Sequence, residues 1–294
     1  MDRFVSVVIA TRNRAEQLRR CLGALRRSPP PAGWSAEIIV VDNGSTDATA
    51  AVVAAESAAA GALRVRGLVE RRRGKAFAVN TGTAVAGGSI VAFLDDDVEA
   101  DPSWLGEVVQ RFEREPSLGL LAGRVVGVEG AGTTATTRAS EETVLDPDRS
   151  LEGLVLGCNL AVRREVITAL HGRDTRLGPG RALAYEDIDF VYRALRRGVR
   201  GCFSPRPVVV HRLGERDRRV EYLRGRGAYY AKFIVRGDRT MARHAVGQLG
   251  ALWLDFRRGV VRPMGTASTR AWHMAMGAAL MTARMLVSVA SRRT

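Results

Sequence analysis

Five apolar residues, IVAFL (90–94), run directly into Asp95, Asp96 and Asp97. Adjacent carboxylates raise one another's pKa unless a cation neutralises them. The triplet is therefore either a solvated turn ahead of Asp101-Pro102 or a place for a hard divalent ion such as Mg2+ or Mn2+. Such an ion takes carboxylate oxygens together with phosphate oxygens of a ligand, so an incomplete protein shell is the expected arrangement. Asp42 closes a second apolar run, IIVVD (38–42), where a carboxylate can accept a hydrogen bond from a base N–H. Glu186, Asp187 and Asp189 open a helical pattern in AYEDIDF. The helix dipole favours acids there, and an aspartate near a metal-bound diphosphate could also take a proton from an attacking hydroxyl. His211 ends PVVVH (207–211). A lone His is more often structural, yet an imidazole at a strand tip is also a reasonable extra ligand for Mn2+.

These groups act together only if the chain gathers strand ends. VSVVIA (5–10), EIIVVD (37–42), LRVRGLV (63–69) and SIVAFLD (89–95) have the apolar, β-rich character of strands. Between them, 14–27 sets Leu18, Cys21, Leu22 and Leu25 at helical spacing, 46–60 is Ala-rich, and 75–86 is compatible with a helix despite Gly82. With right-handed crossovers, this β-α-β-α-β-α-β order predicts an α/β fold with a mainly parallel sheet covered on both faces. Ligands of open parallel sheets bind outside the carboxyl ends of the strands. Three polar clusters then converge on one rim: Thr11-Arg12-Asn13-Arg14, Asp42-Asn43-Gly44-Ser45 and Asp95-Asp96-Asp97. Within VVDNGSTDA, helix capping accounts for Ser45 to Asp47, which leaves Asp42 as the residue without a local task. From 118 to 163 the pattern is strand-like; a helix is expected over 186–197 and a short strand over 207–211, and the remainder reads as helical and basic.

The chain has 294 residues and a formal charge of +14. Its charge is divided: residues 190–294 hold 22 Lys and Arg against 5 Asp and Glu, and residues 1–189 hold 23 against 26, giving +17 and −3. Cys21, Cys158 and Cys202 are far apart with no CxxC pair, which suggests neither a disulfide framework nor a zinc site and fits a reducing cytoplasm. MDRFVSVVIATRN carries an acid at position 2 and only a short apolar run, so it reads as a first strand rather than a signal peptide. No GxGxxG follows that strand, and neither GxxxxGK[ST] nor GxSxG occurs. Their absence argues against a dinucleotide-binding dehydrogenase, a P-loop NTPase and a nucleophile-elbow hydrolase.

Taken in order, VSVVIATRNR, IIVVDNGSTD, GKAFAVNTGTAVAGGSIVAFLDDD, GCNLAVRREVI and YEDIDFVYRALRRG resemble the family 2 glycosyltransferases of the GT-A fold, over roughly residues 4–212. The resemblance implies a GT-A domain over 1–212, which leaves the helical, basic remainder as a subdomain over 213–294, and it implies transfer of a sugar from a nucleotide-diphosphate donor to an acceptor with inversion and a divalent metal, Mn2+ or Mg2+. Carried over by position, it implies that Thr11, Arg12 and Asn13 line the base pocket and that Asp42 bonds the base, usually uracil. Lys75 to Asn80 would lie beside base and ribose. Asp95 to Asp97 correspond to the DXD motif, with Asp96 toward the ribose and Asp97 on the metal. Asp187 corresponds to the general base, Glu186 to a residue positioning the acceptor, and His211 to the metal-ligating His of some members. Arg12 stands where an aromatic residue is common, which leaves guanosine and thymidine beside uridine as bases. The QxxRW motif of processive synthases is missing, so single transfer is the implied mode.

The segment 271–290 is mostly apolar and interrupted by His273 and Arg284. It fits an amphipathic helix on an anionic membrane or a helical subdomain near the acceptor, the second being favoured. Two rivals use the same residues differently. A nucleotidyltransferase or Mg2+ phosphohydrolase would also want the aspartates, and a nucleic-acid-binding protein would use the basic third while leaving the rim acids without a task.

Overall fold

Val5, Val7 and Ile9 lie on one face of the first strand and Val8 on the other, and all four are buried. A strand apolar on both sides belongs in the middle of a sheet covered on both faces. The structure, a computed structural model, describes residues 2–59, 63–127, 137, 139–180, 183–211, 219–258 and 266–290. Strands β1 (Phe4–Thr11), β2 (Ser35–Asp42), β3 (Arg64–Val69) and β4 (Ile90–Asp95) are parallel in the order β3-β2-β1-β4. They are joined through α1 (Ala15–Arg26), α2 (Thr49–Ala58) and α3 (Lys75–Val85), as the sequence pattern predicts.

Beyond β4 the sheet continues with different polarity. β8 (Asn159–Arg163) is antiparallel to both β4 and β6 (Leu118–Gly127), and β9 (Arg200–His211) is parallel to β6. The short strands β5 (Val98–Ala100) and β7 (Thr143–Val144) pair antiparallel with β9. The expected strand at 207–211 is thus the end of a twelve-residue strand. Its register against β6 jumps from Gly123/Ser204 to Arg124/Val208, so a bulge spans Pro205 and Pro207, which have no N–H to give to the ladder.

Helix α4 (Trp104–Arg114) was not foreseen, although Trp104, Leu105, Val108, Val109 and Phe112 form its buried stripe. With α1 and α2 it packs on the face of Val7, Ile9, Ile38 and Val40 in one continuous apolar core. On the opposite face α3 approaches so closely that a Cβ on Gly82 would lie 2.6 Å from Val8 Cγ1 and 3.1 Å from Val41 Cγ2. The helix interior accepts glycine there because contact with the sheet outweighs its cost of about 1 kcal/mol in helix propensity.

Two compact units emerge, residues 1–173 with 190–214, and residues 174–189 with 215–294. The second contains α7 (Arg219–Ile234), α8 (Arg239–Arg257) and α9 (Ala267–Ala290). Helix α6 (Glu186–Leu195) begins in the second unit and ends in the first. α7 and α9 touch backbone to backbone: a Cβ on Gly227 would lie 1.8 Å from Met274 O, and one on Gly277 would lie 1.7 Å from Arg224 O. Ala267, Arg270, Met274 and Met281 form the buried side of α9. Among the described residues, no helix is long and apolar enough to cross a membrane.

Candidate active site

Strand register lines up the residues that end the parallel strands. Thr11 pairs with Asp42, Asp42 with Val69 and Ala10 with Asp95, which sets the polar segments of β1, β2 and β4 side by side on one rim. The three aspartates after β4 have different partners. Asp95 accepts from Lys75 Nζ at 2.5 Å, and Asp96 Oδ1 accepts from Arg14 Nη1 at 2.9 Å. Asp97 Oδ2 takes a second contact from the same guanidinium nitrogen, and Asp97 Oδ1 faces His211 Nε2 at 3.5 Å. His211 is brought there by the pairing of β5 with β9, in which Val98 lies opposite His211.

Burial sets the electrostatics, and the cations modify it. It lifts the Asp96 carboxyl to about 6; Arg14 pulls the other way, and Asp97 adds to the rise. Burial opposes ionisation of Asp95 too, yet the Lys75 ammonium, aided by His211 and Arg14, holds that carboxyl well below the usual range. Arg14 loses solvation, but Asp96 and Asp97 more than restore the preference for its charged form. Two cations thus face three carboxylates.

The donor set fits a hard divalent ion. Asp97 Oδ1 is buried without a hydrogen-bond partner among the described residues, a costly state for a polar atom. Two atoms each about 2.1 Å from one ion lie about 3.0–3.5 Å apart, which matches the Asp97 Oδ1 to His211 Nε2 separation. Among the described residues no three His, Cys, Asp or Glu side chains form a metal-binding group. Oxygens from a ligand would have to complete the shell.

The surrounding loops are tied to one another by side chains. Asn13, at φ 52°, gives its N–H to Ser45 Oγ at 2.9 Å, and its Oδ1 accepts from Thr46 N at 2.7 Å. Asp42, expected to have no local task, has one: its Oδ1 accepts from the amide and hydroxyl of Ser45 at 2.9 and 2.6 Å, closing the turn after β2. Asp47 bonds the amides of Thr49 at 3.0 Å and Ala15 at 3.3 Å, so it serves the starts of two helices. Asn43 donates to Glu70 O and Arg72 O at 2.8 Å each and accepts from Gly74 N at 2.9 Å. Glu70 is held down to about 2 chiefly by its bonds to Arg72, with Thr81 contributing. Gly74 has φ 137°, a conformation open to glycine, and Lys75 follows directly as the first residue of α3.

The rim therefore gathers Thr11, Arg12, Asn13, Asp42, Lys75, Asp95, Asp96, Asp97 and His211 at strand ends and the loops beside them. Thr11 is buried, and Arg12 is half-buried without an ion pair among the described residues. Asn80 is directed elsewhere: its amide donates to Arg173 O at 2.9 Å and accepts from Arg173 N at 2.8 Å. Arg14 and Asn43 belong to the rim clusters named from the sequence but had no role assigned there, and Glu70 was not named. The signal for Arg14 was its place in the TRNR segment after β1, at the start of α1.

The second unit holds the other acids. Tyr185 has φ 81°, outside the range a bulky side chain adopts without strain, and it leads directly into α6. Of the acids that follow, Glu186 is buried, Asp189 is fully buried against Lys232 Nζ, and Asp187 is half-exposed. Asp187 Oδ1 accepts from Ile188 N at 2.8 Å in the first turn, where the dipole favours its charge.

Comparison with known proteins gives this arrangement a context. Residues 6–170 match the model of glycosyl transferase family 2. The chain is 30% identical to glycosyltransferase AglE of Haloferax volcanii over 214 residues, covering 69% of this chain and 68% of that protein. It is also 30% identical to the pre-mycofactocin glycosyltransferase of Mycobacterium tuberculosis over 218 residues, 71% of this chain and only 43% of that longer protein. Among solved structures, mannosyltransferase PcManGT from Pyrobaculum calidifontis, in complex with GDP-Man and Mn2+, superposes with a TM-score of 0.65 at 23% identity, over 98% of this chain and 79% of that one. TarS 1–349 of S. aureus in complex with UDP-GlcNAc gives 0.63 at 17% identity, over 78% and 66%.

Proposed function

The chain belongs to glycosyl transferase family 2, and from that premise we propose that it moves one sugar from a nucleotide-diphosphate sugar to an acceptor hydroxyl with inversion at the anomeric carbon. The observation that carries the reading is the Asp97–His211 pair, with an unpartnered buried oxygen on Asp97, in a cluster where Lys75 serves Asp95 and the single Arg14 is shared by Asp96 and Asp97. Asp97 and His211 would hold Mn2+ or Mg2+, which supplies charge neutralisation to the departing diphosphate. Asp42 and Thr11 would receive the base, with Arg12 and Asn13 at its edge, and Asp96 and Lys75 would face the ribose and diphosphate. A UDP-sugar is the first expectation, and the GDP-Man bound by PcManGT makes guanosine the first rival.

In the proposed reaction the acceptor oxygen bonds to the anomeric carbon as the bond to the diphosphate breaks, and Asp187 takes the hydroxyl proton. Glu186 orients the acceptor. One displacement inverts the centre, so no protein nucleophile is needed. The rivals differ in product: a nucleotidyltransferase releases pyrophosphate, a phosphohydrolase needs no acceptor, and the transferase releases nucleoside diphosphate. A thermal-shift screen of UDP, GDP and TDP and their sugars with and without Mn2+ tests the donor site, because a ligand of the native state stabilises it by mass action. The absence of any metal-dependent shift would overturn the reading.

A further inference from the structure

α8 leaves Val246, Leu249, Trp253 and Phe256 exposed by 67, 59, 55 and 70%. At about 100° per residue these positions fall in one stripe about 80° wide. The helix has a separate buried side, Thr240, Met241, Leu252 and Asp255, so the stripe is a second apolar face. Arg239, Arg243 and Arg257 are exposed on or beside that face, and the Arg257 guanidinium lies 4.9 Å over the Trp253 ring. The only acid in α8, Asp255, is buried in an ion pair with Arg270 at 2.7 Å. The exposed surface of this helix is therefore apolar and cationic, with no negative charge.

We propose that α8 docks this chain on an anionic phospholipid bilayer, with the Val246–Leu249–Trp253–Phe256 stripe at the level of the acyl boundary and the arginines among the headgroups. Tryptophan and phenylalanine suit that boundary, arginines extend their charge to the phosphates while their stems stay apolar, and anionic lipid complements the +17 of residues 190–294. A second copy is the poorer occupant, since pairing two such faces would bring their flanking arginines together. α9 packs against α7 at Gly277 and buries Met274 and Met281, in line with the subdomain reading favoured for 271–290, and the interfacial alternative passes to its neighbour. The inference does not depend on glycosyl transfer: a chain that bound no nucleotide sugar would still dock.

The test is co-sedimentation of the full chain with vesicles of phosphatidylcholine alone, or of phosphatidylcholine and phosphatidylglycerol at about three to one. Pelleting with the mixed vesicles only is expected. Leu249→Glu combined with Trp253→Glu should weaken binding about tenfold or more, as should Arg239→Gln with Arg243→Gln and Arg257→Gln. All five side chains are exposed, and an unchanged thermal midpoint certifies each variant as folded. Pelleting with neither vesicle, equal pelleting with both, or undiminished binding by both folded variants would overturn the inference. So would a dimer in sedimentation velocity that Leu249→Glu with Trp253→Glu dissociates while no vesicle binds.

Discussion

The rim of the first unit and the interior of the second both bury charge, but they balance it differently. In the second unit Lys232, 2% exposed, sits between Asp189 and Asp174, the latter at 2.7 Å, and Asp174 is further clamped by Arg176 at 2.7 Å. Asp255 and Arg270 form another internal pair. At the rim, three aspartates share Arg14 and Lys75, and an oxygen of Asp97 has no hydrogen-bond partner among the described residues. A buried set whose members satisfy one another holds a fold together. One that is short of a cation carries a cost that an arriving cation would relieve, the pattern expected of a binding site.

The largest effects belong to the rim chemistry. Asp97→Ala should lower metal-dependent transfer by about 10³-fold or more while shifting the thermal midpoint little. Asp187→Asn should reduce turnover to a similar extent with donor binding retained, measured as nucleoside diphosphate release beside a donor titration. Normal turnover in either variant would erase the distinction for that residue. In the second unit, Lys232→Ala removes the ammonium shared by two buried carboxylates and should cost about 3–5 kcal/mol in denaturant unfolding, with no dependence on Mn2+.

A variant at the boundary between the two cases sharpens the contrast. Arg14→Gln removes the cation shared by Asp96 and Asp97; the metal-free protein should lose about 2 kcal/mol, and Mn2+ should bind more tightly, as calorimetric titration would register. The smallest effect is in acid. Burial opposes the charge of Asp174, but Arg176 and Lys232 hold its carboxyl far below the usual range. Its contribution is complete above its unfolded value of about 3.9 and disappears as pH falls below that toward the folded value. Asp174→Asn should flatten this part of the acid-unfolding curve.

Much of the architecture was legible in the sequence because local patterns carried it. The four parallel strands, the helices between them, and the meeting of Thr11, Asp42 and Asp95 at one rim follow from alternating periods and from the rule that such strands end together. α4 has a regular apolar stripe, but its 11 residues are a short run of helical period between the Asp101-Pro102 turn and the strand-like stretch beginning at 118. The resemblance put Asn80 beside base and ribose together with Lys75; its amide closes on the Arg173 backbone, a contact across 93 positions that no local pattern announces. Arg14 was visible as a residue of the rim cluster, but its bonds to Asp96 and Asp97 span 82 and 83 positions.

Composition, period and strand-end polarity alone determined the fold class, the acidic rim and the accumulation of arginine in the last third. Those are properties of neighbouring residues, and neighbouring residues are adjacent in any conformation. Which aspartate meets which cation, that His211 lies beside Asp97, that Asp174 to Asp189 group with the C-terminal helices, and that α9 buries its stripe while α8 exposes one were decided only by tertiary structure. Each depends on groups distant in the chain arriving within a few ångströms, and at that range Coulomb attraction and close packing select partners that sequence spacing does not encode.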